Sequence, residues 1–247
     1  MSRTELEPTR IGDIPARVFE PSPEYGERRG AVLLFHGLRM GSDSLEREAR
    51  WLANAGFTVY AADAPHHGMR HSEVVGNMPD ALTIDGYRVL LRVLREARDE
   101  IPKLVDHVLA QGHPKVAIAG VSMGAFIALA AATVEPRLSS IISILGTPDW
   151  TPRDDNVPTD LVEAVTESPH LQPEKFVPRP LLLLNGSRDD NVRPGPMRVF
   201  VARLRPLYGA DAGRIIHREY DSEHAVPEPL WVDMWMTSVA FLTRTLG

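Results

Sequence analysis

The chain contains no cysteine. That absence removes disulfides, thiol nucleophiles and thiolate metal ligands from consideration. It also fits a reducing compartment, where disulfides are rare. No stretch approaches the roughly 18–20 apolar residues that a membrane-spanning helix needs. The opening, Met1-Ser2-Arg3-Thr4-Glu5-Leu6-Glu7-Pro8, carries acids and lacks the apolar core of a secretory signal. A cytoplasmic location is the expectation. Basic charge is also short, with a formal net charge of -6. Lysine and arginine form no run, which argues against a nucleic-acid partner, because phosphate binding needs clustered cations.

What remains is ordinary globular material. The chain has 247 residues, 43% of them apolar and 24% charged, enough for one α/β domain with a large core. Five short apolar runs stand out: Ala31–Phe35, Thr58–Ala62, 115–119, 140–145 and 180–184. Each is rich in Val, Ile or Leu and does not alternate with polar residues, as suits a strand covered on both faces. Helical spacing fills the gaps at 44–55, 89–109, 197–207 and 230–246. Alternating strands and helices imply a mainly parallel sheet with right-handed crossovers. The first twenty residues differ: 4–9 and 14–19 flank Gly12-Asp13, a turn signal for an antiparallel hairpin at one sheet edge. A short strand at 214–220 is expected at the opposite edge. The segment 147–179 is Pro-rich and polar, with a short helix expected at 159–166. It is longer than a typical connection and is read either as a small lid or as a surface excursion.

The strongest motif is Gly120-Val121-Ser122-Met123-Gly124. It follows an apolar run and opens an Ala-rich helix at 123–134, the strand–turn–helix setting of a nucleophile elbow. The tight turn demands small flanking residues. It lifts Ser122 to the sheet rim at a helix start, where free N–H groups favour negative charge. The plainer alternative is that Ser122 is only a helix N-cap. Two backbone N–H groups must meet the oxyanion that forms when a serine attacks a carbonyl. Met123, the residue after the nucleophile, and Leu38, in the loop after Phe35-His36-Gly37, are the candidates. His36 itself reads as a structural residue stiffening that loop.

The acid and the base come later in the chain. The run at 181–184 leads into Asn185-Gly186-Ser187-Arg188-Asp189-Asp190-Asn191-Val192. Asp189 is preferred there over Asp190, with Asp149 a third candidate. Of the two histidines beyond Asp189, His217 falls inside the expected edge strand. His224 falls in a loop that can reach back over the rim and is the expected base. Asp189 would orient it, and Asp221 reads as a solvated turn residue.

On these pieces the chain resembles the α/β-hydrolase superfamily, and within it the esterase-like bacterial proteins related to the prolyl oligopeptidase and dienelactone hydrolase groups. The resemblance runs from about residue 30 to the C-terminus. It implies an eight-stranded sheet, a serine triad without cofactor, and activity on esters, thioesters or amides. Many relatives carry D-x-x-G-x-G-x-S after the second parallel strand; here the run is Asp63-Ala64-Pro65-His66-His67-Gly68-Met69-Arg70. Its adjacent histidines with Asp63 raise a metal site, but neighbouring histidines on one loop rarely converge on one ion, and no metal is expected. A serine at the elbow argues against dehalogenase and thiol mechanisms, and the chain leaves no room for a propeller domain. The leading expectation is therefore a carboxylic ester hydrolase acting on small to medium acyl esters. A thioesterase, amidase or acyltransferase with the same triad, or a non-catalytic ligand-binding protein on the same fold, are the rivals. Met40, Met69, Phe126 and Trp150 are the expected substrate-binding residues, with Leu38 and Met123 beside them.

Overall fold

Every residue of Ala31–Phe35, Thr58–Ala62, Val116–Val121 and Leu181–Gly186 is buried, so these strands must be covered on both faces. The computed structural model describes residues 9–22, 29–153 and 157–247. Among them, eight strands form one sheet: β1 (Thr9–Ile11), β2 (Ile14–Phe19), β3 (Ala31–Phe35), β4 (Thr58–Ala62), β5 (Val116–Val121), β6 (Leu138–Ile144), β7 (Leu181–Gly186) and β8 (Ile215–Tyr220). Their order is β1-β2-β4-β3-β5-β6-β7-β8. Strands β3 to β8 run parallel, while β2 pairs antiparallel with β4 and β1 antiparallel with β2. The expected hairpin is present at the edge, with Gly12 at a φ of 59° in its turn. Residues 4–8 of its first arm lie outside the described residues.

Among the described residues, seven α-helices accompany this sheet: α1 (Glu46–Asn54), α2 (Glu73–Gly76), α3 (Ile84–Ala110), α4 (Met123–Val134), α5 (Val162–Thr166), α6 (Gly195–Tyr208) and α7 (Glu228–Leu246). The pleat sorts each strand's side chains between two cores. In β3, Ala31, Leu33 and Phe35 pack with residues of α3, α4 and α6, whereas Val32 and Leu34 pack with residues of α1 and α7. Helix α4 is buried on nearly all sides, which explains its alanine content. The arrangement is an α/β-hydrolase fold, as the sequence led us to expect. Parallel strands end at one rim, so the loops after β3, β5, β7 and β8 meet there.

One boundary differs from expectation. Helix α3 begins at Ile84 rather than near residue 89. Thr83 caps it by accepting from the Gly86 N–H at 3.2 Å, and Gly86 is required because a Cβ would lie 2.0 Å from the Asp80 carbonyl oxygen. In the segment read as a small lid or a surface excursion, Trp150, Leu161, Ala164 and Phe176 lie in the core beside α3, α4 and α6. Its expected short helix is a 3₁₀ turn (Thr159–Leu161) running into α5. Arg88, Arg95 and Arg98 of α3 reach across to Asp160, Glu163 and Glu167, with contacts of 2.5 to 2.9 Å. Such exposed pairs contribute little singly, but a network fixes orientation.

Candidate active site

Ser122 stands between β5 and α4 with φ 52° and ψ −118°, a conformation ordinarily left to glycine. Its neighbours explain why the elbow closes. A Cβ on Gly120 would meet the Gly124 carbonyl oxygen at 2.0 Å, and one on Gly124 would meet the Phe35 carbonyl oxygen at 2.1 Å. The Ser122 N–H donates to the Ile144 carbonyl at 2.9 Å, locking the turn to β6. Although Ser122 occupies the N-cap position, its side chain makes no capping bond. Its hydroxyl oxygen lies 2.9 Å from His224 Nε2 instead.

His224 Nδ1 lies 2.7 Å from Asp189 Oδ2. The Asp189 side chain is fully buried, and its other oxygen accepts the N–H groups of Asn191 and Val192, each at 2.8 Å. Those bonds stabilise the carboxylate without touching the histidine. The rival acids are elsewhere. Asp190 is exposed. Asp149 accepts from Thr151 N–H at 2.9 Å and faces His170 at 3.5 Å. Asp221 is a solvated partner of Arg188. His217 sits in β8, and burial lowers its pKa.

Facing Ser122 is the loop after β3. His36 is buried; its Nε2 accepts the Ala64 N–H at 3.1 Å, so Nδ1 carries the hydrogen and donates to the Gly37 carbonyl at 2.8 Å. Burial pushes its pKa down, consistent with this neutral bracing role. The N–H groups of Leu38 and Met123 have no hydrogen-bond partner among the described residues.

Asp63, His66 and His67 do not converge. Asp63 is buried and ties two loops together, accepting from the N–H groups of Ser42 at 2.6 Å and Met69 at 2.9 Å. His66 lies between Ser72 Oγ and Glu96, both at 2.7 Å, while His67 donates through Nδ1 to the Pro65 carbonyl at 2.7 Å. Among the described residues, no group of three or more His, Cys, Asp or Glu side chains forms a metal-ligand cluster.

A cavity of about 790 Å³ opens over Ser122 and His224. Leu38, Met40, Met123 and Phe126 line it as expected. Met69 and Trp150 do not, and both correct the sequence reading. Met69 is 61% exposed, because its N–H is drawn back to Asp63. Trp150 is fully buried under the segment it belongs to, its N–H donating to Ser168 Oγ at 2.7 Å. Sequence reasoning missed the wall formed by residues 80–84, Tyr87 and Leu90. The cap at Thr83 was the available signal. It also missed Trp231, which falls in the stretch of helical spacing at 230–246.

A family model described as serine aminopeptidase, S33, matches residues 26–167, more than half of the chain. Esterase YjfP of Escherichia coli (strain K12) is 30% identical over 211 residues, covering 76% of this chain and 80% of that protein. The crystal structure of TT1662 from Thermus thermophilus superposes with a TM-score of 0.78 at 25% identity, covering 99% of both chains. A cold-adapted esterase from an Arctic intertidal metagenomic library shares the fold, with a TM-score of 0.68 at 20% identity over the full length of both chains.

Proposed function

The chain belongs to the serine aminopeptidase S33 family, and from that membership we propose that it hydrolyses small to medium carboxylic esters through an acyl-enzyme on Ser122. The family and the esterase among its relatives make the chain a hydrolase of the esterase type. The finer reading is carried by one observation: an unbroken chain of contacts, Ser122 Oγ to His224 Nε2 at 2.9 Å and His224 Nδ1 to Asp189 Oδ2 at 2.7 Å, opening onto the cavity.

The steps follow from the donors and acceptors. Asp189 accepts from His224 Nδ1–H, which leaves the Nε2 lone pair facing the serine. His224 takes the Ser122 proton as the hydroxyl oxygen attacks the ester carbonyl. Charge develops on the carbonyl oxygen, and the free N–H groups of Leu38 and Met123 receive it; one such donor is worth roughly 3–4 kcal/mol. The imidazolium then passes its proton to the departing alcohol. Water, activated by the same ring, releases the acid. No metal or cofactor enters these steps.

The family description favours amides as a second substrate class. The same groups would cleave them, with a poorer leaving group. A cytoplasmic setting rests on the cysteine-free composition; among the described residues, no helix is long and apolar enough to cross a membrane. The test is turnover of an activated aryl ester by Ser122→Ala. A folded variant without turnover supports the reading, and near wild-type rates overturn it. A pre-steady-state burst separates an acyl-enzyme from a slow binder. Matched ester and amide substrates with one acyl group then rank the two classes.

A further inference from the structure

The cavity over Ser122 draws its walls from both cores. Phe126, Leu90, Tyr87 and Val192 belong to the side of the sheet packed by α3, α4 and α6. Val121, Leu145 and Trp231 belong to the side packed by α1 and α7. Ser122 lies between Val121 and Met123, which point into opposite cores. The nucleophile therefore stands between lining residues drawn from the two cores.

Among the lining residues that belong to the α1 and α7 side, Trp231 is the largest, and its position is fixed from outside the site. Trp231 donates its Nε1–H to Glu48 Oε1 at 2.8 Å. Glu48 is 4% exposed, although it is a carboxylate on a surface helix. Arg47 holds it, with Nε at 2.9 Å and Nη2 at 2.8 Å from that oxygen. Arg47 also reaches Glu228 on α7 at 2.6 Å, so the same clamp joins the first helix to the last. On its far side the indole packs edge-on against Trp235, with ring centroids 5.9 Å apart. An indole held by a charge-assisted bond and an aromatic contact has little freedom to swing aside.

We propose that Trp231 sets the size limit on the alcohol half of the ester and that Glu48 is the residue that positions it. The inference rests on the ester-hydrolase reading above. The leaving oxygen must receive its proton from His224, so the alcohol lies toward the segment that carries His224. Trp231 is on that segment, at the start of α7, and the acyl group is left with the lining of the other core, Tyr87, Leu90 and Phe126. A rigid aromatic wall discriminates by exclusion, and in a hydrophobic pocket such discrimination is worth roughly 10–200-fold.

Two ester series test this: one acyl group with alcohols of increasing bulk, and one alcohol with acyl chains of increasing length. Trp231→Ala is expected to raise the kcat/KM ratio of bulky over small alcohols by roughly tenfold or more, chiefly through KM, with the acyl-length profile unmoved. Glu48→Ala should shift the alcohol ratio in the same direction by less. Glu48→Gln keeps a carbonyl acceptor for the indole and should restore the wild-type ratio, which a merely structural role for Glu48 would not produce. If Trp231→Ala folds poorly, Trp231→Phe carries the same test in milder form. A change confined to the acyl series, or no change in either while a fluorophosphonate still modifies Ser122, overturns the assignment. Wild-type protein that neither turns over esters nor takes the label brings down the hydrolase reading itself, and the assignment with it.

Discussion

Gly186, at the end of β7, lies directly against Ser222: a Cβ on the glycine would come within 2.7 Å of the Ser222 carbonyl oxygen and 3.0 Å of that of Glu223. The loop that carries the acid is thus pressed onto the loop that carries the histidine. Two backbone bonds lace them, Ser187 N–H to Tyr220 at 2.7 Å and Arg188 N–H to Ser222 at 3.0 Å. Gly186→Ala has no room and must push residues 222–224 outward. We expect kcat to fall by roughly a hundredfold, the cost of a displacement of about 1 Å at a reacting group, with the fold retained by circular dichroism. An unchanged kcat would mean that the histidine loop yields without losing its aim.

Burial separates the two neighbouring acids. Asp189→Asn removes the charge facing His224 and offers an amide where the ring must donate, so turnover should fall by roughly three to four orders of magnitude. Asp190→Asn alters an exposed side chain and should leave kcat/KM nearly unchanged. Asp149→Asn is the control for the loop after β6. Steady-state kinetics on one aryl ester, with thermal melts to confirm folding, rank the three, and comparable losses at 189 and 149 would reassign the acid.

Ser72 repeats part of the Ser122 pattern. Its Oγ lies 2.7 Å from His66 Nδ1, and His66 Nε2 lies 2.7 Å from Glu96. Yet Ser72 does not border the cavity, and its oxygen caps α2 by accepting from Val74 N–H at 3.3 Å. A hydroxyl–imidazole–carboxylate relay that faces no substrate space is not a catalyst. A fluorophosphonate should therefore modify Ser122 alone, and Ser122→Ala should leave no labelled peptide by mass mapping. A label on Ser72 would mean that the relay by itself activates a serine here.

Burial lowers the pKa of His67 from 6.5 to about 4, and His36 moves in the same direction for the same reason. Below pH 6.5 the unfolded chain takes up protons at these positions while the folded chain does not. Stability therefore falls as the pH drops from about 6.5 toward 4. For His67 alone the loss is on the order of 3 kcal/mol at the bottom of that window. His67→Asn, which can still donate to the Pro65 carbonyl, should flatten the dependence of Tm on pH across the window. Parallel wild-type and variant curves would place the acid sensitivity elsewhere.

The parts of this site that were legible in the sequence are those fixed by local backbone geometry. A glycine on each side of Ser122 can be read directly from the motif, and the clash at Gly120 is with backbone only four residues on, although Gly124 is pressed against the distant loop after β3. The position of Asp189 beside His224 was legible because an acid that follows a strand end closely has few places to go. Trp231 was not legible. Its role depends on Glu48, 183 residues away in sequence, and helical periodicity assigns an indole on α7 to the core. Met69 and Trp150 failed in the same way, since adjacency to a motif loop says nothing about which way a side chain turns. The start of α3 was hidden by Gly86, which looks like a helix breaker and is in fact demanded by the carbonyl of Asp80.

The backbone at residue 122 would suit glycine better than serine, since a side chain held at such angles costs on the order of 1–3 kcal/mol. On the mechanism proposed for Ser122, fold and activity pull this position in opposite directions. A lineage released from the need to turn over substrate would drift toward glycine there and gain thermal resilience as it did so. Persistence of the hydroxyl among descendants of this chain would then be a record of continued use.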